Sequence, residues 1–274
     1  MKLGLDSYSY HLAFGAHGDM PRQHMTLPQF INRVADLGLD GFQIDPMHLP
    51  SKDEVYLQKI VGQTREKGLF LEYGAMTLQP ESLLIELDIC AKLGSSVLRT
   101  FAGFHRYAKS TNINEEMEKA VHALNQVKSK AKALDIRIAV ENHCDFSADE
   151  LVQVIETVNS PWVGICLDLG NAMATWEEPL RAAEKMAPYA VTTHIKDHGV
   201  TLTYHGFNVY ATALGEGIIH LPQALNLLKQ KSHLDRVILE IASKAEVDEN
   251  RALAKEEAMI RRSVDYAREV LQIG

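Results

Sequence analysis

The sequence predicts a single domain, residues 1–274, that folds as a (β/α)8 TIM barrel. Strand-like and helix-like segments alternate eight times along the chain, and no Pro/Gly/Ser-rich linker or low-complexity tract interrupts them. Alternating βα units favour a parallel sheet covered by helices, and eight units in this length match a closed barrel. Two doubly wound domains are the main alternative, but they would need a linker, and a Rossmann fingerprint and a P-loop are both missing.

Each predicted strand is a short apolar run that is followed by turn residues, which is the pattern of a buried parallel strand. In chain order these runs cover residues 2–7, 41–44, 69–73, 96–101, 136–141, 163–168, 190–195 and 236–241. Amphipathic segments follow them and predict helices from residue 26, 51, 80, 112, 147, 177, 220 and 250. Capping-box patterns at 26–29, 51–54 and 147–150 mark three of the helix starts. We expect the long segment 197–217 to be irregular.

Composition excludes several classes of function. The chain has a formal net charge of -8 and no cluster of Lys and Arg, which disfavours nucleic-acid binding. No apolar run approaches the length of a membrane span, and a charged residue interrupts the N-terminus too early for a secretion signal. Three scattered cysteines without a Cys-x-x-Cys pair fit a reducing cytoplasm. We therefore expect a cytoplasmic protein with a small-molecule substrate; homo-oligomer formation is left open.

Four of the predicted strands end in a residue that can bind a metal: Glu141, Asp168, His194 and Glu240. In a parallel barrel the carboxyl ends of all strands open on one face, so these side chains should converge there. Three carboxylates cannot lie close together in ionised form without a cation. An oxygen-rich set with one imidazole suits Mn²⁺, Mg²⁺ or Co²⁺. We therefore expect one divalent metal ion at this end of the barrel.

The motifs around these residues resemble those of the xylose-isomerase-like sugar (phosphate) isomerase/epimerase barrels. They are Glu141-Asn-His143, Asp168-Leu-Gly-Asn171, His194-Ile-Lys-Asp197 and Glu240. The resemblance is strongest over residues 136–241, whereas in the first half it rests on the strand rhythm and on residues 3–7. It implies that the matched Glu, Asp, His and Glu bind one divalent metal. It also implies that Glu141 and Glu240 act as acid and base on opposite sides of the substrate.

Such a site stabilises an enediolate when a C–H proton leaves the substrate. Return of the proton on the opposite face gives epimerisation, and return at the neighbouring carbon gives isomerisation. We therefore expect a metal-dependent isomerase or epimerase of a small ketose or sugar acid. The alternative is a metal-dependent lyase, a decarboxylase or dehydratase of a keto sugar acid. An abasic-site endonuclease, disfavoured by the acidic charge, and a metal-free binding barrel are further alternatives.

Several residues near the predicted strand ends are candidates for substrate binding. The cations Arg99 and Lys196 would suit a carboxylate or phosphate on the substrate; salt bridges to Asp197, Glu72 or Glu216 are the other interpretation. The further candidates are His11, His143, Asn171, Tyr204 and His205. Asn171 stands where the ketose 3-epimerases have a substrate-binding His. Residues 198–217 also lack the Arg of those enzymes, and they form either a polar lid or an ordinary surface loop.

Overall fold

A computed structural model describes residues 1–15 and 22–274 of the chain. The strands are β1 (Lys2–Asp6), β2 (Gly41–Ile44), β3 (Phe70–Gly74), β4 (Val97–Thr100), β5 (Arg137–Glu141), β6 (Val163–Asp168), β7 (Ala190–Ile195), β8 (Asp197–Thr203), β9 (Gly206–Thr212) and β10 (Arg236–Leu239). The helices are α1 (His11–Phe14), α2 (Leu27–Asp36), α3 (Glu54–Glu66), α4 (Pro80–Lys92), α5 (Ile113–Ala133), α6 (Ala148–Val158), α7 (Pro179–Met186), α8 (Leu221–Lys231) and α9 (Glu249–Glu269).

Eight of these strands close into a parallel barrel, in the order β1, β10, β7, β6, β5, β4, β3, β2, with β1 pairing both β10 and β2. The helices lie between consecutive barrel strands, so the (β/α)8 prediction is confirmed. Helix α2 shows how they pack: it buries Phe30, Ile31 and Val34, which recur on one face at helical spacing. Within residues 1–15 and 22–274, no helix is both long and apolar enough to cross a lipid bilayer.

The prediction of an irregular segment after the seventh strand was wrong. Residues 197–212 form an antiparallel hairpin of β8 and β9, with Val200 opposite Val209 and Leu202 opposite Phe207. Residues 200–203 alternate apolar and polar side chains, which is the period of a strand. This hairpin is a separate two-stranded sheet that leaves the barrel directly after β7.

The predicted helix starts were correct at two of the three capping boxes. At 26–29 and 147–150 the N-cap backbone N–H donates to the Gln29 or Glu150 side chain at 2.8 and 2.7 Å. At 51–54 the helix begins only at Glu54, because the Ser51 hydroxyl donates to Asp53 within the preceding turn, at 2.7 Å. Ser51 thus belongs to the loop before α3.

Helix α9 holds the start of α1 through one buried carboxyl. Glu256 accepts hydrogen bonds from the backbone N–H of Leu12 at 2.9 Å and of Ala13 at 3.2 Å. These groups lie in the first turn of α1, where a helix has no internal acceptor for them. Burial raises the pKa of Glu256 to about 7 and outweighs the two N–H donors, which lower it.

This raised pKa predicts a fall in stability with pH. Between pH 4.5 and about 7 the folded protein keeps a proton on Glu256 that the unfolded chain has lost. The free energy of unfolding should therefore fall over this range, by roughly 3 kcal/mol, and level off above it. Urea unfolding at a series of pH values measures it. E256Q should remove this fall and the exposed α9 control E269Q should keep it; an unchanged fall in E256Q would contradict the assignment.

Candidate metal centre

The four predicted metal ligands meet at the carboxyl end of the barrel. One ligand atom each of Glu141, Asp168, His194 and Glu240 can be chosen so that all lie within 4.8 Å of one another. Strand register explains the convergence, since Asp168 pairs directly with His194, and His194 pairs with Ile238, two residues before Glu240. All four side chains are buried.

Lys196 balances part of this negative charge, and His194 contributes when its ring is protonated. Lys196 Nζ lies 2.8 Å from Asp168 Oδ2 and 2.9 Å from Glu240 Oε1, and His194 Nδ1 lies 2.6 Å from Glu240 Oε2. Burial alone would raise the pKa of Glu240, but Lys196 and His194 outweigh it and hold that pKa well below the ordinary value. Burial lowers the pKa of Lys196 less than Asp168 and Glu240 raise it. The Glu240 carboxylate is therefore ionised and available to a metal.

Hydrogen bonds fix one carboxylate oxygen each of Asp168 and Glu141. Asp168 Oδ1 accepts from the backbone N–H of Gly170 and Asn171, both at 2.8 Å. The Asn171 side chain donates to Glu141 Oε1 at 3.0 Å. Asn142 donates to the Asp168 carbonyl and accepts from its N–H, which ties β5 to β6. Asn171, a predicted substrate ligand, thus also orients Glu141.

The four side chains fit a divalent cation. Each has a buried atom that no hydrogen bond satisfies and that lies near charged groups: Glu141 Oε2, Asp168 Oδ2, His194 Nδ1 and Glu240 Oε2. A buried polar atom without a hydrogen bond is costly and needs a physical reason. Three carboxylate oxygens and one imidazole nitrogen are a ligand set for Mn²⁺, Mg²⁺, Co²⁺ or Zn²⁺.

Gln43 selects the nitrogen of His194 that faces this cluster. Gln43 Oε1 lies 2.9 Å from His194 Nε2 and also accepts from Arg99 Nε at 3.2 Å, while its amide nitrogen donates to Glu72 at 3.0 Å. An amide oxygen only accepts, so Nε2 carries a proton and, in the neutral ring, Nδ1 keeps the lone pair. The sequence analysis missed Gln43, although a lone polar residue in the apolar run 41–44 is a recognisable signal.

Arg99 is buried beside the cluster and lies close to acids from three other strand ends. Its Nε lies 3.3 Å from Glu141 Oε2, and its Nη2 lies 3.8 Å from both Asp6 Oδ2 and Asp45 Oδ2. The ion-pair partners of Arg99 and Lys196 are thus acids at strand ends, and not those named in the salt-bridge interpretation. Asp197 instead accepts from loop N–H groups, Glu72 lies near Arg236, and Glu216 pairs with Arg262.

A cavity of about 400 Å³ opens above the cluster. Four predicted substrate ligands line it, namely Arg99, His143, Asn171 and Lys196, together with the predicted acid–base residues Glu141 and Glu240. His143 is stacked on Phe101, with ring centroids 4.2 Å apart. Five other lining residues had no role predicted from the sequence: Tyr8, Asp45, Met76, Phe101 and Ala242. His198 and Ala211 also line the cavity and belong to the segment 198–217, which was predicted to be either a polar lid or a surface loop.

Three predicted substrate ligands lie away from this cavity. His11 is buried and stacked on Tyr8, with ring centroids 4.7 Å apart, so that Tyr8 is the residue that reaches the cavity. Tyr204 and His205 form the exposed tip of the β8–β9 hairpin. A role for these three residues in substrate binding stays a prediction.

Comparison with known proteins gives one family and a consistent set of relatives. The family described as the xylose isomerase-like TIM barrel matches residues 31–270. A 3-oxo-isoapionate decarboxylase of Pectobacterium atrosepticum is 23% identical over 269 residues, 97% of this chain and 94% of that protein. Two crystal structures share the fold: D-psicose 3-epimerase in the presence of D-fructose (TM-score 0.76, 18% identity, 99% of both chains) and the IOLI protein with a bound zinc (TM-score 0.72, 17% identity, 97% and 98% of the chains).

The position of Gln43 predicts an effect on metal affinity. In Gln43→Leu the acceptor that fixes His194 Nε2 is lost, so metal should bind about 10- to 100-fold more weakly. Competition with a chromogenic chelator measures the affinity, and circular dichroism checks the fold. Gln58→Leu, at an exposed position of α3, is the matched control; equal affinities in the two variants would contradict the role of Gln43.

Proposed function

We propose that this chain, which belongs to the xylose isomerase-like TIM-barrel family, is a single-domain, cytoplasmic, divalent-metal-dependent isomerase or epimerase of a small ketose or sugar acid. One observation carries the proposal: the Glu141–Asp168–His194–Glu240 cluster lies directly under a cavity that both glutamates line. Isomerisation and epimerisation need two proton-transfer groups at one substrate carbon or at neighbouring carbons. Two ionised carboxylates that reach one cavity meet this need.

The metal would be held by Glu141, Asp168, His194 Nδ1 and Glu240. A bound dication supplies stabilisation of the negative charge that develops on substrate oxygens as a C–H bond breaks. The oxygen-rich ligand set favours Mn²⁺, Mg²⁺ or Co²⁺. The hydrogen bond from Asn171 keeps the carboxylate of Glu141 in place during the reaction, and the one from Asn142 keeps the backbone of Asp168 in place.

The protein groups then move the proton. One glutamate of the pair, Glu141 or Glu240, removes a proton from the carbon next to the substrate carbonyl, and the other returns it. Both carboxyls are less than a tenth exposed, so bulk water competes little for the proton. Arg99, 3.3 Å from Glu141, favours the ionised form of that base, because a nearby positive charge lowers a carboxyl pKa.

A second candidate is decarboxylation of a keto sugar acid, and Lys196 favours it. Its ammonium group lines the cavity and contacts two of the proposed metal ligands, Asp168 and Glu240. A dication bound to these carboxylates would neutralise their charge in place of Lys196. The ammonium group would then be free to pair with a substrate carboxylate. The decarboxylase relative matches nearly the whole chain, which also supports this candidate.

Proton exchange tests the acid–base roles. The protein with Mn²⁺ is incubated with ketoses and sugar acids in D2O, and deuterium incorporation is followed by proton NMR. E141Q and E240Q should lower exchange by at least about 100-fold, and a chelator should abolish it in the wild type. Asp168→Asn is the matched control, because it removes a ligand without an acid–base group and saturating Mn²⁺ should partly restore it. Full exchange in both glutamine variants would contradict the mechanism.

Lys196 distinguishes the two candidate reactions. If the substrate carries a carboxylate, Lys196→Met should raise KM for the acid by about 10- to 100-fold, the value of a charged hydrogen bond. The KM for a neutral ketose should change by less than about threefold, and Lys196→Arg should retain more affinity for the acid. Release of CO2 from keto sugar acids, measured on the same samples, identifies the lyase; isomerisation of neutral ketoses without CO2 identifies the isomerase.

A further inference from the structure

Beyond Asp197 at the start of β8, the β8–β9 hairpin is largely exposed and carries no Asp, Glu, Lys or Arg. Residues 198–215 contain no Asp, Glu, Lys or Arg, although these residues make up 23% of the whole chain. Every residue from 200 to 210 is exposed. Depletion of charge together with exposed aromatic side chains is the composition of an interface core and not of a solvated surface.

The register sorts the hairpin into an apolar and a polar face. Val200 is opposite Val209 and Leu202 is opposite Phe207, and directly opposed residues of an antiparallel pair share a face. Thr201 and Asn208, the pair between them, lie on the other face. We call Val200, Leu202, Phe207 and Val209 the apolar hairpin face.

Trp176 enlarges this face. Its ring meets Phe207 edge to face at a centroid distance of 5.9 Å, although Trp176 is 73% and Leu202 83% exposed. With Trp176, the apolar hairpin face presents on the order of 600 Å² to solvent, since a large aromatic side chain alone contributes about 200 Å². This is as large as the largest patch of a typical monomer.

The outer edges of the hairpin are also unprotected. Within the described part of the chain, β8 and β9 pair only with each other. A lone two-stranded hairpin is marginally stable in water, and natural edge strands usually carry Lys, Pro or a bulge that blocks further pairing. Residues 198–212 contain neither Lys nor Pro. The hairpin therefore lacks the residues that usually prevent an exposed strand edge from pairing with another chain.

We propose that this chain forms a two-fold symmetric homodimer in which the apolar hairpin faces of two copies pack against each other. A stable dimer buries about 800 Å² of each copy, and the face together with Trp176 supplies most of that area. A two-fold contact matches a surface with itself, so it needs no complementary charges. The apolar hairpin face contains no charged residue. A different partner would have to supply an uncharged surface of the same size.

The dimer contact joins the catalytic cavity to the interface. His198 and Ala211 continue the apolar hairpin face toward the barrel, and both line the cavity. Packing against a second copy holds the hairpin at the cavity mouth, where an unsupported hairpin would move freely. The inference concerns assembly and holds whatever reaction the site catalyses.

Measurement of molar mass in solution tests the dimer. Multi-angle light scattering of the wild type across a dilution series should give twice the chain mass of 30.6 kDa. The pair L202D/F207D buries charge in the contact and should raise the dissociation constant by at least about 100-fold. T201D/N208D, on the polar face of the same strands, is the matched control and should stay dimeric. Circular dichroism confirms that the variants fold.

Three results would overturn the inference. The first is a wild-type chain that stays monomeric at about 100 μM, since an interface of standard size associates well below that concentration. The second is a wild-type dimer that L202D/F207D leaves intact, which places the contact elsewhere. The third is equal dissociation by both double variants, which makes the effect one of hairpin folding and not of the apolar face.

Discussion

Neutralisation of buried negative charge is the constraint on which the rest of this structure depends. Glu141, Asp168 and Glu240 lie together at the carboxyl end of the barrel, all less than a tenth exposed. Carboxylates at such spacing repel one another strongly in a medium of low dielectric constant. Lys196 and Arg99 offset part of this charge through direct ion pairs. A dication fits where these charges meet, since each of these three carboxylates, like His194, has a buried atom that forms no hydrogen bond.

A polar column inside the barrel supports this end of the molecule. Below His194, Gln43 contacts Glu72, and Glu72 accepts a further hydrogen bond from Thr192 at 2.7 Å. Burial raises the pKa of Glu72 more than Arg236 and its hydrogen bonds lower it. These hydrogen bonds restrict side-chain rotation, because a rotation would leave a further buried polar group unsatisfied. The network thus holds the imidazole of His194 in a fixed orientation relative to the barrel strands.

The proposed metal ligands alone do not choose among the reactions that a common enediolate would allow. That choice would fall to the side chains around the cavity, where Lys196 offers a positive charge and His143, Asn171 and Tyr8 offer further polar groups. The hairpin after β7 contributes His198 and Ala211 to the same wall. Loops that follow the strands vary without disturbing the barrel, so specificity in this fold resides in them. In the proposed dimer, one hairpin would contribute both to the cavity wall and to the contact between the two copies.

The amino-acid sequence by itself determined the order of elements, the barrel and the four strand-end residues. Local patterns predict each of them, namely a short apolar run, a helix cap or a polar residue at the end of an apolar run. It did not reveal Gln43 as the partner of His194, or Asp6 and Asp45 as partners of Arg99. These contacts join strands far apart in the chain, and only closure of the barrel decides them. The hairpin was missed for a different reason: residues 200–203 alternate as a strand does, but local composition does not specify the register in which two strands pair.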